Sequence, residues 1–193
     1  MQIIKYPHPT LRHKSKPLRK VDAELRQIIR EMFERMYEDR GIGLAANQVD
    51  LPYRMVVINI QGDPAAKEGE VVLINPVITK QSGTAEAEEG CLSLPGIYAP
   101  VRRSAKVTLV AYDLSGEERT YQLEDLPARA AQHECDHLDG VLFVDRLSSA
   151  NQLAVKDALT DLERQFQGDR SRGLIPDDPA IATRLTELEK LRT

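Results

Sequence analysis

The sequence predicts an α+β fold in which mainly antiparallel sheets pack around a central helix, with additional helices at the N- and C-terminal ends. Segments rich in branched apolar residues are grouped in the middle of the chain, and apolar residues recur at helical spacing near both ends. No internal repeat and no regular strand–helix alternation is visible, which disfavours a parallel α/β sheet. With 193 residues, 41% of them hydrophobic, the chain is long enough to bury a substantial core.

The first predicted element is an amphipathic helix that begins after Asp22 and ends near Arg40. Asp22 is a suitable N-cap, and Gly41 is a suitable C-terminal stop. One face of this helix collects the apolar side chains that should contact the core, namely Leu25, Ile28, Ile29, Met32, Phe33, Met36 and Tyr37. The sequence GIGLAANQV follows, and its two glycines allow a tight backbone path.

The middle of the chain predicts strands followed by a second helix. Three segments rich in branched side chains are predicted as strands: residues 54–60, 71–74 and 76–80. Residues 105–125 predict two further strands joined through Ser115 and Gly116, which is a hairpin signal. The helix is predicted to begin near Asp125 and to end at Gly140.

The last part of the chain predicts two more helices, separated by a linker at residues 167–178. Their apolar positions are Val155, Leu159, Leu162 and Phe166 in the first and Ile181, Leu185 and Leu188 in the second. We expect residues 151–193 to be a helical extension that packs on the main domain or on a partner subunit. Its positive and negative charges nearly balance, so it does not have the composition of an RNA-binding tail.

Composition disfavours several classes of function. A net charge of −4 gives no bulk electrostatic reason to bind DNA or an anionic membrane. No apolar run reaches the length of a membrane-spanning helix, and the N-terminal residues include neither a signal-peptide core nor a transit peptide. We therefore expect a cytoplasmic, bacterial protein rather than an organellar one. Its two cysteines are expected to be thiols rather than a disulfide.

An HExxH pentad occupies the helix predicted after Asp125. Residues four apart lie on one helix face, so His133 and His137 can reach a single metal ion. The Glu134 carboxylate can reach a water on that ion, take its proton and later deliver it to a leaving group. Cys135 should point into packing, and Asp136 is interpreted as an exposed helix carboxylate rather than a partner of a ligand.

Two imidazoles leave such a site short of ligands, and the residues alone leave the third one open. No histidine follows His137, which excludes the metzincin pattern. Glu163 would complete a thermolysin-like set. Cys91, in the sequence EEGCLSLPG, would complete a Cys–His–His set with one position open for water. A buried core cysteine and two histidines that bind no metal remain the alternative.

Three segments resemble the signature motifs of the peptide deformylase family, in its order and at about its spacing. They are GIGLAANQ at residues 41–48, EGCLS at residues 89–93 and QHECDHLDG at residues 132–140. The resemblance covers residues 1–150, the expected catalytic domain. Tyr98 stands where many bacterial members have an arginine, and the sequence around it resembles the branch that includes plant organellar enzymes.

The resemblance implies a role for each matching position. It implies that the metal is bound by Cys91, His133 and His137, and that Glu134 is the general acid/base. It implies that the formyl oxygen accepts hydrogen bonds from Gln48 and from the backbone N–H of Leu92. The substrate would be contacted by Ile42, Gly43 and Tyr98, and the site would be braced from behind by Glu89 and Arg103. It also implies one divalent metal ion, with Fe²⁺ favoured and Ni²⁺, Co²⁺ or Zn²⁺ as substitutes.

The implied activity is metal-dependent hydrolysis of the N-formyl group from the formylmethionine of newly synthesised polypeptides, with release of formate. The expected partners are N-formylmethionyl nascent chains, in a monomer or a homodimer, with transient ribosome association as a further hypothesis. Two other functions compete: a zinc endopeptidase with a glutamate as third ligand, and a non-catalytic interaction module. The intact set of Gln48, Cys91, Glu134 and both histidines disfavours the second of these.

Overall fold

The computed structural model describes residues 1–193 and shows an α+β architecture, as predicted. Its helices are α1 (Ala23–Glu38), α2 (Asp125–Leu138), α3 (Ser149–Ser171) and α4 (Asp178–Arg192). Its strands are β1 (Gly43–Ala45), β2 (Met55–Ile58), β3 (Val71–Ser82), β4 (Ala85–Cys91), β5 (Leu94–Arg103), β6 (Lys106–Tyr112) and β7 (Glu118–Glu124). None of these helices is both long enough and apolar enough to span a lipid bilayer.

Two antiparallel sheets form the framework. Five strands pair in the order β1–β2–β3–β6–β7, and β4 pairs with β5 in a separate two-stranded sheet. The segments predicted as two strands, 71–74 and 76–80, are one continuous strand, so the predicted interruption between them was wrong. The reason is a bulge: Asn75 has φ of +53°, and the register with β6 shifts between Ile74 and Val77.

Helix α1 confirms the predicted start and its apolar face. The Asp22 side chain accepts a hydrogen bond from the Leu25 N–H at 2.9 Å, which caps the helix. The helix ends before Arg40, which has φ of +58°, and the Gly41 N–H then bonds back to the Met36 carbonyl. The buried face packs on β1 and β2, and this contact positions the residues that follow Gly41.

The β4–β5 hairpin was not predicted as strands. Most of β4 is solvent-exposed and polar, so it lacks the apolar alternation that signals a strand. Strand β4 is held by its pairing with β5, with Gly90 opposite Tyr98, and β5 buries Leu94, Ile97, Ala99 and Val101 in a core cluster. A side chain at Gly90 would bring its Cβ to 2.4 Å from the Tyr98 ring, so it would displace this exposed ring from its present position.

Helix α2 lies on the five-stranded sheet and packs against β1, β2 and β7. Its sheet-facing residues are small, and Ala128 and Ala131 are completely buried, which allows close approach to the strands. Cys135 is buried in the same contact, as predicted, and burial raises the pKa of its thiol to about 12. This thiol is therefore a packing group.

The last two helices form as predicted, but the linker between them is shorter than predicted. Helix α3 continues to Ser171, well into the segment 167–178, because helical hydrogen bonding persists through a polar, solvent-exposed stretch. It packs on β5 and buries Val155, Leu162 and Phe166. The sequence lacked an apolar repeat there, and periodicity alone therefore ended the helix too early.

Helix α4 returns to the N-terminal part of the chain. The Glu189 carboxylate accepts hydrogen bonds from Lys16 Nζ at 2.6 Å and lies 2.7 Å from His13 Nε2. The Arg192 guanidinium, almost completely buried, donates to the carboxylate of Asp22, the N-cap of α1. These contacts join the C-terminal helix to the segment that leads into α1.

We expect Leu185→Ala to lower the free energy of unfolding by about 2–3 kcal/mol, because truncating a buried leucine leaves a cavity. Leu185 is 4% exposed, whereas Leu191 on the same helix is 68% exposed. Leu191→Ala should therefore change stability by no more than about 0.5 kcal/mol. Urea unfolding followed by circular dichroism measures both values. Equal effects of the two substitutions would contradict the packing of α4.

Candidate active site

A cleft of about 540 Å³ lies between the end of β4, the segment after α1 and helix α2. Nine residues singled out from the sequence line it: Ile42, Gly43, Gln48, Glu89, Cys91, Leu92, Tyr98, His133 and Glu134. Two others lie behind its surface, since His137 and Arg103 are buried and do not line the cleft. The structure thus brings together residues from three distant parts of the sequence.

Three potential metal ligands form a cluster at the cleft: Cys91 and His133 line it, and His137 is buried behind its surface. The donor atoms of Cys91, His133 and His137 are all within 4.8 Å of one another. Cys91 Sγ is 3.2 Å from His137 Nε2, which is itself 3.2 Å from His133 Nε2. The two histidines come from one face of α2, whereas the cysteine ends β4.

Two of the three separations between the donor atoms are close to those around a single tetrahedral ion. Bonds of about 2.0–2.1 Å to nitrogen and about 2.3 Å to sulfur place such donors roughly 3.3–3.6 Å apart. The two measured separations of 3.2 Å are close to these values. One thiolate and two imidazoles leave a fourth position for water or substrate, which is the arrangement of a catalytic rather than a structural site.

Neighbouring groups shift the pKa values of both histidines in the cluster. Burial alone would lower the pKa of His133, but the Cys91 sulfur and the Glu89 carboxylate raise it to about 10. Burial, and then the neighbouring His133, hold the pKa of His137 well below its usual value. The Cys91 sulfur also accepts a hydrogen bond from the Ser93 N–H at 3.4 Å.

Glu134 lies beside the three potential ligands and does not belong to their cluster. Its side chain is buried, and its Oε2 atom has no hydrogen-bond partner in the protein. Burial raises the pKa of this carboxyl to about 7, and the nearby Glu89 adds to the increase. Gly43 faces it so closely that an added Cβ would lie 2.5 Å from Glu134 Oε1. A buried carboxyl with a free oxygen and a pKa near neutrality is suited to proton transfer.

Gln48 presents its amide to the cleft in a fixed orientation. Its Oε1 accepts a hydrogen bond from the Ala45 N–H at 2.9 Å, so the Nε2 donor points the other way. Nε2 lies 3.5 Å from Cys91 Sγ and 3.3 Å from Ser93 Oγ. This anchoring leaves an N–H donor next to the ligand cluster, close to the turn that contains Leu92.

A buried ion-pair network lies behind His133. Glu89 Oε2 is 3.0 Å from His133 Nδ1, and Arg103 donates to both Glu89 oxygens at 2.6 and 2.9 Å. Arg103 also donates to Asp136 at 2.8 Å, and Arg146 binds the other side of that carboxylate. The interpretation of Asp136 as an exposed helix carboxylate was therefore wrong, because two guanidinium groups hold it in a buried position.

Sequence reasoning missed Arg129, which donates to Glu89 at 2.6 Å and to the Val101 carbonyl at 2.9 Å. A signal existed, since Arg129 is four residues before His133 and so lies on the same helix face. It also missed Asn47, whose amide donates to the His137 carbonyl. No local sequence pattern indicates that contact.

The structure also locates Glu163 and Tyr98, two further residues named from the sequence. Glu163, the alternative third ligand, accepts a hydrogen bond from the Tyr6 hydroxyl at 2.8 Å and does not belong to the ligand cluster. Tyr98 lies at the rim of the cleft, 64% exposed, with its ring over Gly90. The zinc endopeptidase alternative thus lacks its third ligand.

Comparison with known proteins agrees with this geometry. The polypeptide deformylase family profile matches residues 1–153. The chain belongs to the polypeptide deformylase family. A peptide deformylase of Rhodopirellula baltica is 43% identical over 194 aligned residues, covering 100% of this chain and 96% of that protein. This enzyme therefore removes the N-formyl group from nascent polypeptides, in a family whose members depend on a metal ion.

Solved structures of family members share the fold. Peptide deformylase 1B of Arabidopsis thaliana, in complex with an inhibitor, superposes with a TM-score of 0.84 at 41% identity, covering 92% of this chain and 97% of that one. The peptide deformylase of Plasmodium falciparum gives a TM-score of 0.84 at 38% identity, with 86% and 98% coverage. The family predicted from three motifs is thereby confirmed.

Proposed function

We propose that Cys91, His133 and His137 hold one divalent cation at which the formyl group is hydrolysed, with Glu134 as the general acid/base. One observation supports this assignment above all. A buried carboxyl with an unpartnered oxygen lies in the same cleft as a three-donor cluster that fits one ion. When bound, the cation would lower the pKa of a water molecule and polarise the formyl carbonyl.

Glu134 would then move the protons. Its Oε2 takes a proton from the attacking water, which forms a bond to the formyl carbon. When the C–N bond breaks, the same carboxyl delivers that proton to the departing nitrogen, so formate and a free amino terminus are the products. Burial raises the pKa of this carboxyl, which makes it a better proton acceptor than an exposed glutamate.

Gln48 and Leu92 would stabilise the negative charge that develops on the formyl oxygen. The Gln48 amide is fixed by the Ala45 N–H and faces the ligand cluster, and the Leu92 backbone N–H directly follows Cys91. Preorganised donors of this kind contribute about 3 kcal/mol each to the transition state. They bind the tetrahedral oxyanion better than the planar substrate, which is what accelerates the reaction.

The cleft also provides a site for the methionine side chain and the adjoining peptide. Ile42 and Leu126 supply apolar walls, and Gly43 leaves its backbone accessible beside Glu134. Tyr98 at the rim would contact residues beyond the methionine. Glu89 and Arg103 would hold His133 in its ligating orientation, since partners of this kind fix the ring and its tautomer.

We propose Fe²⁺ as the native ion, with Ni²⁺, Co²⁺ and Zn²⁺ as substitutes. Cys91 is partly buried and lines the cleft, so an iron-bound thiolate there should be reached by oxygen and oxidised in air. We therefore expect protein loaded anaerobically with Fe²⁺ to lose most of its activity within hours of aeration, while the Ni²⁺ form keeps it. Equal loss from both forms, at constant metal content, would refute the iron-specific explanation.

The arrangement of the chain supports a division into two parts. Residues 1–150 would form a catalytic domain built around α2 as its central helix. Residues 151–193 would form a helical extension packed on that domain. The contacts of α3 with β5 and of Glu189 with His13 favour packing within one chain. The Rhodopirellula baltica relative aligns with the whole chain, so the extension is not peculiar to this protein.

We further propose that the protein is a bacterial cytoplasmic enzyme, monomeric or dimeric, in transient contact with ribosomes.

The direct test is formate release from a formyl-Met-Ala-Ser peptide by protein loaded anaerobically with Fe²⁺ or Ni²⁺. We expect turnover that is lost after chelation and restored by adding the metal back. The acetylated peptide serves as the control, because its larger acyl group should be a poor substrate in the same cleft. Undiminished turnover after complete metal removal would contradict the proposed site.

A further inference from the structure

The N-terminal segment of the chain lies across both turns that contain the proposed oxyanion donors. The Ile4 N–H donates to the Gln48 carbonyl at 2.9 Å, and the Tyr6 N–H donates to the Ser93 carbonyl at 2.9 Å. Two segments that are far apart in sequence are thus linked through three consecutive residues near the N-terminus.

Lys5, between these two anchors, contacts the cysteine turn with its side chain. Its Nζ donates to the Leu92 carbonyl at 2.7 Å, and the residue lines the cleft. That carbonyl belongs to the peptide group whose N–H, on Ser93, donates to Cys91 Sγ at 3.4 Å. Because the peptide group is planar and conjugated, an ammonium on its oxygen both fixes its plane and strengthens its N–H as a donor.

We propose that Lys5 is a positioning residue for deformylation. It holds the turn so that the Leu92 N–H faces the formyl oxygen and the Ser93 N–H faces the Cys91 sulfur. The charge-assisted bond also withdraws electron density from the sulfur through the peptide group. This role rests on the proposed functions of Leu92 and Cys91, and Lys5 acts through them rather than on the reacting atoms.

The test is Lys5→Met, which keeps the aliphatic stem and removes the ammonium. We expect kcat to fall about tenfold, with KM unchanged within about twofold, because donors displaced by fractions of an ångström stabilise the oxyanion less well. In the cobalt-substituted protein the thiolate-to-cobalt charge-transfer band should move to longer wavelength, since the sulfur becomes more electron-rich. Lys5→Arg, which retains a charged donor, should recover most of kcat.

Two control variants make the outcomes distinct. Lys14→Met, at an exposed lysine in the same segment, should leave kcat and the band unchanged. A Lys5→Met variant with normal kcat and an unmoved band, beside an impaired Gln48→Leu variant, would overturn the role of Lys5 alone. Normal kcat in Gln48→Leu would overturn the donor set and the Lys5 role with it. A rise in KM alone would also overturn the proposal, because it would make Lys5 a peptide-binding residue.

Discussion

Replacing Glu134 by Gln should reduce kcat for formate release by about a thousandfold while leaving the metal bound, as expected when a general acid/base is removed. Glutamine has the same shape but cannot accept the proton from water at neutral pH. Glu134 does not belong to the ligand cluster, so the metal content should stay at the wild-type level. Steady-state kinetics and metal analysis on the same sample measure the two quantities.

Glu163→Gln is the matched control for this substitution. Glu163 is the carboxylate that a thermolysin-like site would use, and in the structure it accepts a hydrogen bond from Tyr6. We expect this variant to keep both its metal and its kcat. Loss of metal from Glu163→Gln, with normal kcat in Glu134→Gln, would reverse the roles proposed for the two carboxylates.

Cys91→Ala should weaken metal binding by at least about a hundredfold, because it removes one of the three proposed ligands and the only anionic one. Activity should be lost in parallel and should return only partly at high metal concentration. The fold should remain, since Cys91 lies at the end of a strand and at the edge of a cleft rather than inside a core cluster. Equilibrium dialysis with Ni²⁺ measures the affinity.

The chain provides its own control in its second cysteine. Cys135 is buried between α2 and the five-stranded sheet. Cys135→Ala should keep full metal stoichiometry and cost about 1 kcal/mol of stability through a small cavity. If the Cys135 variant lost the metal and the Cys91 variant kept it, the ligand set would be wrong.

The sequence predicted those local features that depend only on the residues of a single helix or turn. The start and apolar face of α1, the hairpin through Gly116 and the histidine pair on α2 each depend on neighbouring residues only. The periodicity of a helix and the chemistry of a turn are readable without knowing the fold. By contrast, β4 was missed because its residues are mostly exposed, and strand pairing rather than apolar alternation holds it in place.

The amino-acid sequence alone was sufficient for the family, the fold class and the residue types of the candidate site, because three short motifs and three helical periodicities are local patterns. Spacing left open which third residue would join the histidines, and only the folded chain, in which the end of β4 meets α2, brings the Cys91 sulfur to 3.2 Å from His137. The burial of Asp136, the reach of Arg129 to Glu89 and the contact of Lys5 with Leu92 also depend on folding. These contacts join residues separated by tens of positions, and their distances are set by the whole core rather than by any segment.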